Sequence, residues 1–329
     1  MSGNKVTLDV RDLRTHFYTY EGTVKALGGV NLKVFERDAL GVVGETGCGK
    51  SVTALSIMRL VPWPPGKIVG GEVLFRGEDL LKLSEEEMRT RIRGREMSMV
   101  FQEPIPALNP VITVGNQIAE VIEYREEETN HVEALKKSVD LLASVNIADP
   151  ERIISQYPHQ LSGGMAQRVM IAMALACHPR LLIADEPTTA LDVTIQAQIL
   201  YLIKDLMDEI DSSLMMITHD LGVIAETCKR VAVMYAGQVV ETADIRTIFK
   251  GNKHPYTEGL LGSIPNPYKK EPLHIIKGSV PNMINPPIGC KFSPRCPYAM
   301  DICAKEEPPE EDLSGNHSVY CWLVTKGKR

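Results

Sequence analysis

The sequence has 329 residues, 44% of them hydrophobic, and a net charge of −6. That length exceeds one average domain, so a large α/β domain with a smaller appendage is expected. The mild acidity argues against a nucleic-acid binder, which usually carries a basic excess. No run reaches the roughly 18–20 apolar residues needed to cross a bilayer. Met1 to Thr15 mixes Lys5, Asp9, Arg11, Asp12 and Arg14 and has no apolar stretch, so no secretory signal is read there. The expectation is a cytoplasmic protein that meets a membrane through a partner.

Along the first thirty-five or so residues apolar and polar side chains alternate, as in Val30 to Val34, which suits half-exposed antiparallel strands. Ala39 to Val43 is a continuous apolar run and reads as a buried strand. It leads into a glycine-rich turn and a helix from about Ser51, the opening of a nucleotide-binding α/β unit. Between about Glu103 and Met165 the pattern is helical, behind a stretch with Pro104, Pro106 and Pro110. Leu181 to Ala184 and Leu214 to Thr218 are two further buried-strand candidates. Val231 to Glu241, centred on Ala236-Gly237, reads as a hairpin. From about Gly251 proline is dense and periodicity weak, so a separate loop-rich segment held by something other than a large core is expected. No internal repeat is found, so the chain holds one cassette.

Gly44-Glu45-Thr46-Gly47-Cys48-Gly49-Lys50-Ser51 matches G-x-x-x-x-G-K-[ST], between a strand and a helix that Val52 continues. In such a loop, backbone N–H groups and the helix N-terminus hold the phosphates of ATP. Lys50 adds a cation and Ser51 an oxygen for Mg²⁺. Leu181 to Glu186 reads as a buried strand presenting two carboxylates. Asp185 would hold Mg²⁺, and Glu186 would polarise the water that attacks the γ-phosphorus. These features describe a P-loop ATPase and go no further.

Leu161-Ser162-Gly163-Gly164-Met165-Ala-Gln167 resembles the LSGGQ signature of ABC ATPases, with Met165 in its last place. The resemblance covers about residues 6 to 250. It implies a P-loop (RecA-like) α/β nucleotide-binding domain with an antiparallel β subdomain and a helical subdomain, the latter at about 103–165. In that family Ser162, Gly163 and Gly164 open a helix and bind the γ-phosphate of ATP held by the opposite subunit. Gln102 resembles the Q-loop glutamine, which touches Mg²⁺ and couples the insertion to the membrane subunits. His219 resembles the switch histidine, and Ala190-Leu-Asp192 the D-loop; Asp192 also suits the N-cap of a helix from Val193 to Ile210. The family stacks an aromatic ring on adenine, for which Phe17, Tyr18 and Tyr20 are the candidates.

The last eighty residues narrow the resemblance. His254-Pro-Tyr-Thr257, Leu260-Leu261, Ser263-Ile-Pro265 and Gly289-Cys-Lys-Phe-Ser-Pro-Arg-Cys296-Pro look like the tail of the dipeptide and oligopeptide importer ATPases. Cys290, Cys296, Cys303 and Cys321 are spaced C-x5-C-x6-C-x17-C. In a reducing compartment such a cluster points to metal rather than disulfides. Four thiolates suit Zn²⁺ or an iron–sulfur centre, and reduced, unligated thiols are the plain alternative. The resemblance favours [4Fe–4S] over zinc and gives a C-terminal Cys-rich segment at 251–329, after the cassette at 1–250.

The expected protein is thus a peripheral ATPase on the inner face of the cell membrane. The resemblance implies two transmembrane permease subunits, a second homologous ATPase (a heterodimer rather than a homodimer) and an extracytoplasmic peptide-binding protein. Nickel, glutathione or murein-peptide import would use a very similar cassette. A soluble ABC ATPase of DNA repair or translation is the rival of another class. One cassette with a short insertion speaks against it.

Overall fold

The computed structural model describes residues 5–126, 129–189, 192–264, 275–313 and 316–328. Strands β1 (Val6–Thr19) and β2 (Gly22–Phe35) come first, followed by β3 (Ala39–Val43), the helix Lys50–Ile57, β4 (Gly66–Phe75) and β5 (Glu78–Asp79). After β6 (Met97–Val100) come helices Pro104–Ala107, Val114–Arg125, His131–Ser144, Pro150–Ile153 and Gly163–Leu175. Then follow β7 (Leu181–Asp185), the helix Val193–Glu209, β8 (Ser213–Ile217), the helix Leu221–Thr227, β9 (Arg230–Tyr235) and β10 (Gln238–Asp244). The remainder holds helices Ile245–Gly251 and Pro255–Gly262 and two short strands, β11 (Glu310–Asp312) and β12 (Ser318–Tyr320).

The chain forms two units, one built mainly from Lys82–Met216, the other from Leu8–Val34, Ala39–Leu81 and the residues from Ile217 onward. In the first unit the strands run in the order β8-β7-β6, with β6 parallel to β7 from Met97↔Leu181 to Val100↔Ala184. Every residue of β6 and β7 is buried, the reason Leu181 to Ala184 reads as an unbroken apolar run rather than an alternating one. Helix Gly163–Leu175 packs on β6 and on the helices around it. Helix His131–Ser144 buries Ala134, Ser138 and Leu142, one side chain per turn, and Asn130 caps it by accepting from the Glu133 amide at 3.1 Å.

In the second unit one sheet has the order β2-β1-β4-β5, with β1 antiparallel to β4. Its other strands run β11-β12-β10-β9-β3, and β3 lies parallel to β9. β9 and β10 form the hairpin expected from Ala236-Gly237, whose φ angles of 45° and 75° suit a turn matching the strand twist. From the region after Gly251, β12 pairs with β10 through Glu241↔Val319 and Thr242↔Ser318 and so widens the same sheet. Glu241 fixes this junction. Its buried carboxylate accepts from the amides of Lys253 (2.6 Å) and His254 (3.1 Å) and meets His317 Nε2 at 2.8 Å. Burial alone would raise its pKa, yet these bonds more than offset that and hold the carboxyl below the usual carboxylate range.

Candidate functional site

β3 ends at Val43 and the loop Gly44–Gly49 turns the chain into the helix Lys50–Ile57. Gly44 has no room for a side chain, since a Cβ there would lie 2.2 Å from the Met234 carbonyl oxygen. Gly49 caps the helix at φ 105°, a left-handed conformation that glycine adopts without strain. The loop is held inwardly by Cys48 N–H to the Glu45 carbonyl (3.2 Å) and by Gly237 N–H to the Cys48 carbonyl (2.8 Å). Lys50 is buried, and its ammonium donates to the carbonyls of Gly44 (2.9 Å) and Glu45 (3.3 Å). It thus lies over the loop, where an anion would meet it. Cys48 is buried, and burial pushes its thiol pKa up. Thr46 and Gly47 are exposed; Ser51 and Val52 are half-buried on the first helical turn.

The aromatic candidates differ in setting. Phe17 is half-buried and pairs across the sheet with Gly66, where the missing side chain leaves its ring room. Tyr18 meets Trp63 edge to face at 6.2 Å. Tyr20 stands fully exposed in the β1–β2 turn. His219, also in this unit, is exposed just past β8, and Asp220 beside it caps the helix Leu221–Thr227 by accepting from the Gly222 amide at 2.7 Å.

In the other unit Asp185 ends β7 in a buried position. Glu186 follows at φ 46°, a left-handed backbone uncommon for a non-glycine residue and typical of functional positions. Its carboxylate accepts from Gln102 Nε2 (3.3 Å) and from the Thr189 hydroxyl (2.9 Å). The structure therefore brings Gln102 to Glu186, 84 positions further along the chain and next in sequence to Asp185. Ser162 caps the helix Gly163–Leu175, its hydroxyl accepting from the Met165 amide at 3.3 Å. Gly164 faces Ile195, where a Cβ would come within 3.2 Å. Asp192 caps the helix Val193–Glu209 by accepting from the Ile195 amide at 3.0 Å, as expected, whereas Ala190 and Leu191 lie outside the described residues. Pro265 lies outside them as well.

The four tail cysteines depart from expectation. None is in a disulfide; Cys303 and Cys321 are buried, Cys290 and Cys296 half-buried. Burial, then the nearby sulfurs of Cys303, Cys321 and Cys296, push the Cys290 thiol up to about 12. Among the described residues no group of three or more His, Cys, Asp or Glu side chains is arranged to hold a metal ion. The donor chemistry suits iron–sulfur or zinc, but the arrangement does not form a ligand set. Mg²⁺ usually takes one or two protein oxygens and completes its shell with water and substrate phosphates. Oxygens of that kind are carried by Ser51 in one unit and by Asp185 and Gln102 in the other.

Two family models match the chain: the ABC transporter model over residues 27–189, and the oligopeptide/dipeptide transporter C-terminal region over 240–303. A probable peptide ABC transporter ATP-binding protein of Sinorhizobium fredii, y4tR, is 54% identical over 317 residues, covering 96% of this chain and 94% of that protein. The oligopeptide transport ATP-binding protein OppD of Bacillus subtilis is 52% identical, with 96% and 88% covered. This chain belongs to the ATP-binding proteins of the peptide ABC transporters. Its fold is that of a P-loop ABC ATPase cassette. A dimeric post-hydrolysis structure of the ATP-binding cassette MJ0796, bound to ADP and Pi, superposes with a TM-score of 0.65 at 27% identity, over 73% of this chain and 99% of that one.

Sequence reasoning missed how the cassette's phosphate loop is tied to its tail. The Glu45 carboxylate receives both arms of the Arg295 guanidinium (Nη1–Oε2 2.9 Å, Nη2–Oε1 3.2 Å), and the Glu45 amide donates to the Tyr256 hydroxyl at 2.9 Å. Burial opposes the charge on Arg295, yet Glu45 and the Tyr235 hydroxyl more than offset it and raise its pKa. Burial likewise raises Tyr256, so its phenol stays protonated. Both residues sit inside the tail motifs, His254-Pro-Tyr and Pro-Arg-Cys296, which was the one available signal.

Proposed function

We propose that this chain is the ATPase subunit of a peptide importer, using ATP binding and hydrolysis to drive uptake of dipeptides or oligopeptides through two transmembrane permease subunits. The observation that carries the chemistry is the setting of Glu186. A carboxylate at the end of a buried strand, fixed by Gln102 and Thr189, is placed to polarise a water molecule. Gly44–Ser51 and Lys50 bind the phosphates. Ser51, Asp185 and Gln102 are the residues that would hold Mg²⁺, which would neutralise charge on the phosphates. Ser162, Gly163 and Gly164 serve the nucleotide of a second ATPase, with Asp192 at the same interface and His219 reading the γ-phosphate. Phe17 is favoured for adenine over Tyr20, because a half-buried ring at a strand end is held in place and an exposed turn residue is not.

The cassette proper is read as 1–250, with its helical subdomain at about 103–165, and the tail as 251–329. The partner ATPase is a homologous, different chain, and an extracytoplasmic binding protein delivers the peptide. Among the described residues no helix is long and apolar enough to cross a membrane; the chain's place is the cytoplasmic face, on the permeases. The two family matches and the names of the relatives favour peptides over nickel or glutathione.

Replacing Glu186 by Gln keeps shape and removes the base. In the assembled transporter the variant binds ATP, and steady-state hydrolysis falls at least about a hundredfold. Hydrolysis at the wild-type rate would remove Glu186 from this role. A [4Fe–4S] or Zn²⁺ centre on Cys290, Cys296, Cys303 and Cys321 is supported here only by the mutual influence of their sulfurs on Cys290. Anaerobic purification decides it. Stoichiometric iron and sulfide with absorption at about 400 nm support the cluster, zinc alone supports the other metal, and neither leaves four reduced thiols.

A further inference from the structure

Glu45 is an unexpected residue to find in a loop that receives polyphosphate. A carboxylate a few ångströms from an anion weakens its binding by direct repulsion unless the charge is cancelled. Here it is cancelled from the tail. Arg295 makes a two-pronged ion pair with Glu45, and the pair is largely out of solvent, with the arginine side chain 6% exposed and the glutamate 27%. The remaining arginine donors are also placed: Nε on the Lys277 carbonyl at 3.0 Å, Nη1 on the Tyr235 hydroxyl at 3.3 Å and Nη2 on the Ile276 carbonyl at 3.4 Å. The guanidinium lies over the Tyr235 ring, and Tyr235, Tyr256 and Phe292 form an aromatic cluster beneath it, with ring centroids 4.6–5.4 Å apart. An arginine fixed at this many points keeps its charge in one place.

We propose that Arg295 is a positioning residue for nucleotide binding: it neutralises Glu45 and, with Tyr256, holds the phosphate loop in its anion-receiving shape. The tail is by this reading part of the nucleotide site. The inference rests on Gly44–Ser51 being the phosphate site, so Lys50→Ala serves as its control. If Lys50→Ala binds Mg·ATP as well as wild type, that reading of the loop is wrong, and the inference falls with it.

The test is calorimetric titration of the purified full chain with Mg·ATP. Arg295→Gln binds about tenfold more weakly at low salt, as expected for one uncompensated charge near the phosphates. Adding Glu45→Gln to that variant restores affinity to within about threefold of wild type, because the carboxylate was the source of the repulsion. Arg295→His gives a readout that packing would not: its affinity falls between about pH 6 and pH 8 as the imidazole loses its charge, while wild type changes little. It also serves should Arg295→Gln fold poorly. Wild-type affinity in Arg295→Gln, failure of Glu45→Gln to rescue it, or an Arg295→His profile parallel to wild type would each overturn the proposal.

Discussion

The phosphate loop and the C-terminal tail are both poor in regular structure, and they hold their shapes in different ways. From Gly44 to Ser51 the chain takes its course from its neighbours in sequence, a strand before, a helix after and Cys48 folded back on Glu45, and is braced from outside by Gly237, Tyr256 and Arg295. The tail has local turns of its own, such as Ser293 N–H to the Cys290 carbonyl, but its attachment to the rest of its unit is made by partners far along the chain. Arg295 reaches Glu45 across 250 positions, and His317 reaches Glu241 across 76. A motif is readable when its chemistry is local. It is not when its meaning depends on which distant residue the fold brings beside it.

The same contrast decided what could be read in advance. β3, β7, β8, the hairpin at Ala236-Gly237 and the cap at Asp192 follow from apolar runs, turn residues and N-cap chemistry, and each stands where the sequence places it. The pairing of β12 with β10 could not be read, because three residues such as Ser318–Tyr320 have too little pattern to announce a strand. Nor could Glu241, an acidic residue in an ordinary hairpin arm until the structure buries it. The spacing of the four cysteines was legible, but whether their sulfurs converge as ligands is set by tail packing that spacing does not encode.

If the tail hangs on a few long-range bonds, cutting one should cost more than disturbing the phosphate loop. Replacing His317 by Ala leaves the Glu241 carboxylate buried with one partner fewer, and unfolding free energy should fall by about 3–4 kcal/mol at pH 7, measured by urea titration. The pH dependence has a definite sign. The folded-state pKa of Glu241 is depressed, so its contribution is present above its unfolded value of about 4.3 and is lost as pH falls through the folded value. The gap between wild type and His317→Ala is therefore full at neutral pH and closes on acidification below about pH 4. A gap that persists there would mean packing, not charge, holds the junction.

Gly44→Ala tests the loop. Its Cβ must displace strand β9 at the Met234 carbonyl, 2.2 Å away, with an expected loss of about 2–3 kcal/mol and of nucleotide binding together. Stability lost with nucleotide affinity intact would separate the loop's shape from its function. The smallest effect belongs to a purely local bond: Asp192→Ala removes one helix cap and should cost about 1 kcal/mol. A cost as large as that of His317→Ala would erase the distinction between local and distant anchoring.

The way the tail finishes the sheet has a further consequence. Without β12, strand β10 would show water a row of unpaired amides and carbonyls, an invitation to any other extended chain. β12 satisfies that row only to pass the problem outward, and β11 ends the series with three residues, Glu310, Glu311 and Asp312. A border this short and this negative repels its own likeness. The chain thus carries its own guard against edge-to-edge aggregation.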